Sequence, residues 1–168
     1  WIKAVRKLMK SDEKIAAYQP KILSFHDKTK FEYAGAAGGY IDRYGYPFCR
    51  GRMFQDLETD NGQFDDVKEV FWATGACMFV RAELYHKYGG LDDDFFAHME
   101  EIDFCWRLKN LDYKIMYCPD SQVYHIGGGT LPKSSARKTY LNFRNNLSLL
   151  MKNLPEGKVF WTIFYRFF

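Results

Sequence analysis

A short run in the middle of the chain, FFAHMEEIDFCWR (residues 95–107), places three carboxylates among aromatic and apolar residues. Acidic side chains are rarely buried without a partner, so Glu100, Glu101 and Asp103 need an explanation. One interpretation is chemical: a carboxylate at a helix start, covered by aromatic residues, could remove a proton from a hydroxyl group as a general base. The other is structural, because the helix macrodipole favours negative charge in a first turn. Asp103 fits the structural role well, since Arg107 lies four residues further on.

Hydrophobic periodicity predicts the elements that must position these carboxylates. The predicted helices span residues 2–10, 81–88, 100–110 and 137–153, and the predicted strands span 16–23, 67–71, 76–80, 113–119 and 121–126. The last helix is predicted to be amphipathic, with an apolar face of Tyr140, Phe143, Leu147 and Leu150. Residues 34–66 are rich in glycine, aspartate and asparagine and predict a long loop. LDDDFF (91–96) predicts a solvated turn.

Composition narrows the class of protein. With 168 residues, 47% hydrophobic and 18% aromatic, the chain can form one domain with a substantial core and is not disordered. A net charge of +3 gives no argument for nucleic acid. We find no signal peptide and no apolar stretch long enough to span a bilayer. None of the four cysteines is in a CxxC pair, which favours small buried residues over zinc ligands.

A longer pattern, WATGACMFVRAELYHKYGGLDDDFFAHMEEIDFCWRLKNLDYKIMYCPDSQVYHIGGGTL (residues 72–131), resembles the second half of a family 2 glycosyltransferase catalytic domain. The similarity is to bacterial rhamnosyltransferase-like members with the GT-A fold. It extends over residues 16–153, and TYLNFRNNLSLLMKN resembles the helix that follows in such enzymes. Many separate elements recur in order, which makes the resemblance specific.

The resemblance implies an α/β fold: a partial, Rossmann-like GT-A domain with a mixed sheet flanked by helices. Residues 1–153 would be the C-terminal, acceptor-binding part, and 154–168 the start of an aromatic-basic segment at a membrane surface. We expect the nucleotide-binding half, with its DxD motif, to precede Trp1 in a longer chain. Asp92–Asp94 imitate a DxD motif but match a surface turn of the family.

Site residues follow from the same resemblance. Glu101 falls at the position of the catalytic base, where the family usually has aspartate, and Glu100 would bind the acceptor. The loop lining the acceptor and donor-sugar pocket would contain Trp72, Thr74, Gly75 and Ala76, although a simple turn between strands explains these residues too. Gly127, Gly128 and Gly129 resemble the loop over the donor phosphates.

Two further residues carry expectations from the family. His125 would help to coordinate a divalent metal, Mn²⁺ or Mg²⁺, in the full-length enzyme, and the alternative is a strand-end histidine with an ordinary hydrogen bond. Asp112 stands where the family often has glycine at a helix end, so we expect a left-handed backbone there.

The implied activity is inverting transfer of a hexosyl or deoxyhexosyl group from a nucleotide-diphospho-sugar to a hydroxyl of a glycan or lipid-linked acceptor. Such an enzyme would serve polysaccharide biosynthesis in the cell envelope, in the cytoplasm at the inner face of the plasma membrane. An exposed sheet edge would favour a homodimer. The alternatives are a non-catalytic module that binds glycans or mediates association and, ranked last, a nucleic-acid binder.

Overall fold

The protein has a mixed α/β fold in which helices flank a mixed four-stranded sheet, as the sequence predicted, and this is consistent with a partial Rossmann-like fold. The computed structural model describes residues 2–127 and 135–166. In this part of the chain the helices are α1 (Ile2–Ser11), α2 (Ala82–Lys87), α3 (Glu100–Asn110), α4 (Ala136–Asn153) and α5 (Glu156–Tyr165). The strands are β1 (Ile15–Ser24), β2 (Gly39–Ile41), β3 (Pro47–Cys49), β4 (Arg52–Met53), β5 (Asp56–Leu57), β6 (Lys68–Val70), β7 (Phe79–Val80) and β8 (Lys114–His125).

Two long parallel strands, β1 and β8, form the centre of the sheet, whose order is β6-β8-β1-β7. The short strands β7 and β6 pair antiparallel to β1 and β8 at the two edges. The register shifts where Pro20 faces Cys118 but Lys21 faces Gln122, so β8 bulges at the point where proline can donate no hydrogen bond. The two strands predicted over 113–119 and 121–126 are therefore one strand with a bulge.

The two faces of this sheet are covered by different helices. Side chains alternate along β8, so that Ile115 and Tyr117 enter one hydrophobic cluster and Met116 and Cys118 enter the other. Helix α1 covers the second cluster through Val5. Helix α3 belongs to the first and larger cluster, which also receives part of α4. The helix that carries the carboxylates is thus anchored in the main core.

Three other predictions of local structure were wrong in detail. Residues 34–66 contain two short hairpins, β2–β3 and β4–β5, instead of an unstructured loop. The strand predicted over 76–80 is reduced to β7, because Thr74 and Gly75 open a loop over residues 73–78. The predicted solvated turn contains a 3-10 turn, Asp93–Phe95, and Asp92 is held by an ion pair of 2.5 Å to Lys152.

Helix α4 has the predicted length but buries a different face. Tyr140, Phe143 and Leu147 are 62%, 69% and 42% exposed, so the predicted apolar face is wrong except for Leu150. The buried residues are Leu141, Asn145, Asn146, Leu149, Leu150 and Asn153. The three asparagines can be buried because each has hydrogen-bond partners from other parts of the chain.

Helix α5 follows directly and has no buried residue. Phe160, Trp161, Phe164 and Tyr165 are among its exposed side chains. Over the residues that the structure describes, none of the helices combines the length and the apolar character needed to cross a bilayer.

Candidate active site

Glu101 lies in the first turn of α3 and faces the loop of residues 73–78, which joins β6 to β7. Its Oε1 atom is 3.5 Å from the backbone N–H of Gly75. A Cβ atom on Gly75 would be 3.8 Å from the carboxyl carbon of Glu101, so loop and carboxylate are in van der Waals contact. The second oxygen, Oε2, is buried, and no hydrogen-bond partner for it lies within the described residues. Two segments that the sequence separates therefore meet here.

The environment of Glu101 changes its acidity. Burial, and secondarily the charge of Glu100, raises the pKa of Glu101 to about 7 from an ordinary value of 4.5. The backbone N–H of Gly75 and those of the first turn of α3 act in the opposite direction. A carboxylate with a pKa near 7 is well suited to accept a proton at neutral pH.

The neighbours of Glu101 include two further buried polar atoms without a partner among the described residues, Oε2 of Glu100 and Nε2 of His98. Burial, followed by the charge of Lys138, lowers the pKa of His98, while Glu100 opposes the shift. Buried polar atoms are normally hydrogen-bonded, so three of them at one helix start favour a polar ligand. His98 was not among the predicted site residues, because a histidine within an aromatic run has no distinctive spacing.

The predicted pocket loop divides into a buried and an exposed part. Trp72 is buried and donates from Nε1 to the carbonyl of Tyr40 at 2.9 Å. Thr74 is also buried, and its N–H donates to Oε1 of Gln19 at 3.0 Å. Gly75 is exposed and Ala76 is partly exposed. Trp72 and Thr74 hold the loop against the core, whereas Gly75 and Ala76 are the accessible members.

His125 belongs to a second group of residues at the end of β8. Its Nδ1 is 3.1 Å from Oε2 of Glu32, a contact with the distance but not the geometry of a hydrogen bond. The same Glu32 oxygen accepts the N–H of Ala34 at 2.6 Å. Gly127 lies so close that a Cβ atom there would be 2.8 Å from Oε1 of Glu32. Glu32 thus links His125 to Gly127, whereas Gly128 and Gly129 lie outside the described residues.

The expected divalent metal can be tested against this donor set. Across residues 2–127 and 135–166, no three histidine, cysteine, aspartate or glutamate side chains come together as a metal site. His125 and Glu32 supply at most two ligands, and Mg²⁺ is usually held by one or two carboxylates together with substrate phosphates. The described residues therefore supply only part of a metal shell, and a bound Mn²⁺ or Mg²⁺ would need donor phosphates to complete it.

Asp103 has the structural role predicted for it. Its fully buried carboxylate accepts from Nε of Arg107 at 2.8 Å, from Nζ of Lys152 at 3.1 Å and from Nδ2 of Asn153 at 2.9 Å. Arg107 also donates to the carbonyls of Tyr88 and Gly90. This network ties α3 to α4 and confirms the predicted pair of Asp103 and Arg107.

Similarity to known proteins is consistent with the resemblance. The chain is 31% identical over 134 residues to a low-salt glycan biosynthesis hexosyltransferase of Haloferax volcanii, covering 74% of this chain and 43% of that protein. It is 24% identical over 147 residues to the dTDP-rhamnosyl transferase RfbF of Shigella flexneri, covering 79% of this chain and 48% of that protein. The chain is similar to glycosyltransferases.

A third relative matches a shorter part of the chain. This is an N-acetylglucosaminyl-diphospho-decaprenol L-rhamnosyltransferase of Mycobacterium tuberculosis, 33% identical over 58 residues, or 34% of this chain and 19% of that protein. The chain spans less than half the length of each of these curated relatives. No protein-family model matches it.

Proposed function

We propose that this chain is the acceptor-binding part of an inverting family 2 glycosyltransferase with the GT-A fold. The full-length enzyme would transfer a hexosyl or deoxyhexosyl group from a nucleotide-diphospho-sugar to a hydroxyl of a glycan or lipid-linked acceptor. The observation that carries the proposal is the Glu101 carboxylate, which lies at a helix start beside the Gly75 loop and has a buried Oε2 atom. The resemblance assigns the catalytic base to the same position.

In the proposed reaction, Glu101 acts on the acceptor. Its ionised Oε2 takes the proton of the acceptor hydroxyl while that oxygen forms a bond to the anomeric carbon. The bond from the anomeric carbon to the diphosphate breaks, and the diphosphate leaves with the electron pair from the opposite face. Glu100 and His98 would hold neighbouring hydroxyls, since their buried atoms lack partners within the described residues.

A divalent metal remains part of the proposal for the full-length enzyme. When bound, Mn²⁺ or Mg²⁺ would neutralise charge on the leaving diphosphate. His125 would offer one ligand, and Glu32 would orient its ring, as carboxylates commonly do for metal-binding histidines. The remaining ligands would come from the donor and from residues outside those described.

Membrane association is proposed from the charge and exposure of the last two helices. Residues 136–166 contain six lysine and arginine residues and a single acidic residue, Glu156. Lys158 and Trp161 line a cleft of about 360 Å³ beside α5, together with Arg43 and Tyr44. Exposed aromatic side chains combined with basic ones are typical of helices that lie in a bilayer interface. This would place the enzyme in the cytoplasm, at the inner face of the plasma membrane.

Two assays test the proposed membrane association and the proposed homodimer. Sedimentation of the full-length protein with anionic vesicles should decrease strongly in Trp161→Ser, and equal sedimentation of both proteins would contradict the membrane proposal. Light scattering tests the homodimer, for which β6 and β7 offer only short edges.

The central experiment replaces Glu101 with glutamine in the full-length protein. Transfer should fall by about 10²- to 10⁴-fold, the usual contribution of a general base. Calorimetric binding of UDP, GDP or dTDP with Mn²⁺ should be unchanged. Glu100→Gln is the matched control and should weaken acceptor binding more than turnover. Turnover preserved in Glu101→Gln would contradict the proposal.

The same buried atoms at residues 98–101 also suit a non-catalytic module, because they could hold glycan hydroxyls without any reaction. This alternative expects the full-length protein to bind acceptor glycans and to show no transfer with any nucleotide-sugar. Calorimetry with UDP, GDP and dTDP, each with Mn²⁺, distinguishes the two, since a glycan-binding module should bind none of these nucleotides.

A further inference from the structure

The loop that leads into α3 has an unusual backbone. Phe96, His98 and Met99 have φ angles of +61°, +72° and +75°, a region that residues with a side chain seldom adopt. Met99 is the N-cap residue of α3, and its side chain makes no capping hydrogen bond. The N-cap side chain therefore contributes nothing to this helix start. Strained backbone of this kind persists only where surrounding structure holds it, and it concentrates at functional sites.

Two adjacent side chains of α4 hold this loop. Nδ2 of Asn145 donates to the carbonyls of Phe95, Ala97 and His98 at 3.0, 2.8 and 2.6 Å. Nη2 of Arg144 donates to the carbonyls of Asp94 and Phe95 at 2.8 and 3.0 Å. Four of the five carbonyls from residue 94 to residue 98 are thus bound by one pair of side chains.

Arg144 and Asn145 also contact each other. Nε of Arg144 donates to Oδ1 of Asn145 at 2.8 Å, which fixes the amide with its Nδ2 towards the loop. Asn145 is buried, so its amide has no access to water as an alternative partner. Losing one member therefore removes the orientation of the other.

We infer that Arg144 and Asn145 are positioning residues, which hold the strained loop so that Glu101 is presented to the Gly75 loop and shielded from water. The inference rests on the proposed function, because it matters for catalysis only if Glu101 is the base. The geometric reason is the short stretch of chain that joins the loop to Glu101. Glu101 follows the last bound carbonyl, that of His98, by three residues, so a change in the loop rotates the first turn of α3.

The acidity of Glu101 gives a readout for this arrangement. Among the titratable groups, Glu100 raises the pKa of Glu101, and Glu101 in turn acts on Cys105; His98 and Lys138 interact with each other, and His98 also interacts with Glu100. Replacing Asn145 changes none of these charges. Since burial is the main cause of the raised pKa of Glu101, a loosened loop that admits water should lower it.

The test compares Asn145→Ala with Asn146→Ala in the full-length enzyme. Asn146 is the matched control: it is the next residue on α4, is also buried, and binds the Gly45 carbonyl at 2.9 Å and Nη1 of Arg166 at 2.7 Å, away from the loop. Asn145→Ala should lower kcat by about 100-fold, the usual effect of misplacing a catalytic group by an ångström. Its acid limb of kcat/KM should also move to lower pH. Asn146→Ala should lose thermal stability and keep the wild-type pH profile.

A second variant provides the test if Asn145→Ala does not fold. Arg144→Lys keeps the charge but cannot bind two carbonyls and the Asn145 amide together, so it should move the acid limb in the same direction. The inference is overturned if the folded variants at both positions keep the wild-type limb, or if Asn146→Ala moves it equally. Failure of the proposed function looks different, because Glu101→Gln would then remain active whatever the loop variants do.

Discussion

Replacing Glu101 with glutamine should stabilise the folded protein at neutral and alkaline pH while it greatly slows transfer. The pKa of Glu101 is about 7 in the folded protein against an ordinary value of 4.5. Each tenfold change in proton affinity corresponds to about 1.4 kcal/mol, so full ionisation of the carboxylate lowers the free energy of unfolding by about 3 to 4 kcal/mol. Glutamine has nearly the same shape and no charge, and therefore removes this loss.

The pH dependence follows from the direction of the shift. Because the folded-state pKa is raised, the folded protein holds its proton over a range where the unfolded chain has released it. The contribution of Glu101 to stability is therefore greatest below pH 4.5, falls as the pH rises to about 7, and levels off above that value. The variant lacks this decline. The difference in free energy of unfolding between the two proteins should therefore be small in acid and should grow between pH 4.5 and about 7.

Urea unfolding of both proteins at a series of pH values measures the difference directly. Titrating groups that do not interact with Glu101 contribute equally to the stability of both proteins and cancel. Glu156→Gln, which changes an exposed glutamate in the first turn of α5, is the control and should show no comparable slope. A constant difference between wild type and Glu101→Gln from acid to neutral pH would refute the claim that this carboxylate is buried and ionises with difficulty.

Three other substitutions test the surrounding framework. Asp103→Ala should reduce the free energy of unfolding by about 3 kcal/mol in urea denaturation, because it leaves the buried Asn153 amide and two partly exposed cations without their carboxylate. Gly39→Ala should lower the melting temperature markedly, since its Cβ would lie 2.0 Å from the Trp72 ring, whereas Gly75→Ala, with 3.8 Å of clearance, should not. Lys21→Met should lower the free energy of unfolding at neutral pH in the same urea assay, because it leaves two aspartates without the buried ammonium group that they bind.

The features that the sequence predicted correctly depend on residues close together in the chain. The pair of Asp103 and Arg107 follows from helical spacing alone and appears at 2.8 Å. Asp112 was expected to take a left-handed backbone after α3, and its φ is +66°. Local periodicity also predicted β1, α3 and the length of α4, which are long enough to show it, whereas the class of fold came from the resemblance.

The features that it missed depend on contacts between distant segments. Strands of two or three residues, such as β4 and β5, are too short to show any alternation of apolar residues. The meeting of Glu101 with Gly75 joins positions 26 residues apart, and spacing alone could not predict it. Only the resemblance to glycosyltransferases put both residues at one site, and it did so without the geometry.

Helix α4 shows why hydrophobic periodicity failed there. Hydrophobic periodicity assigns the buried face to apolar side chains, but this helix buries asparagines at positions 145, 146 and 153, and each binds a different part of the protein. Asparagine is a weak helix former, because its amide competes for backbone hydrogen bonds. Several asparagines inside an otherwise strong helix therefore indicate binding to loops elsewhere, and in this chain the first of them leads to the loop that positions Glu101.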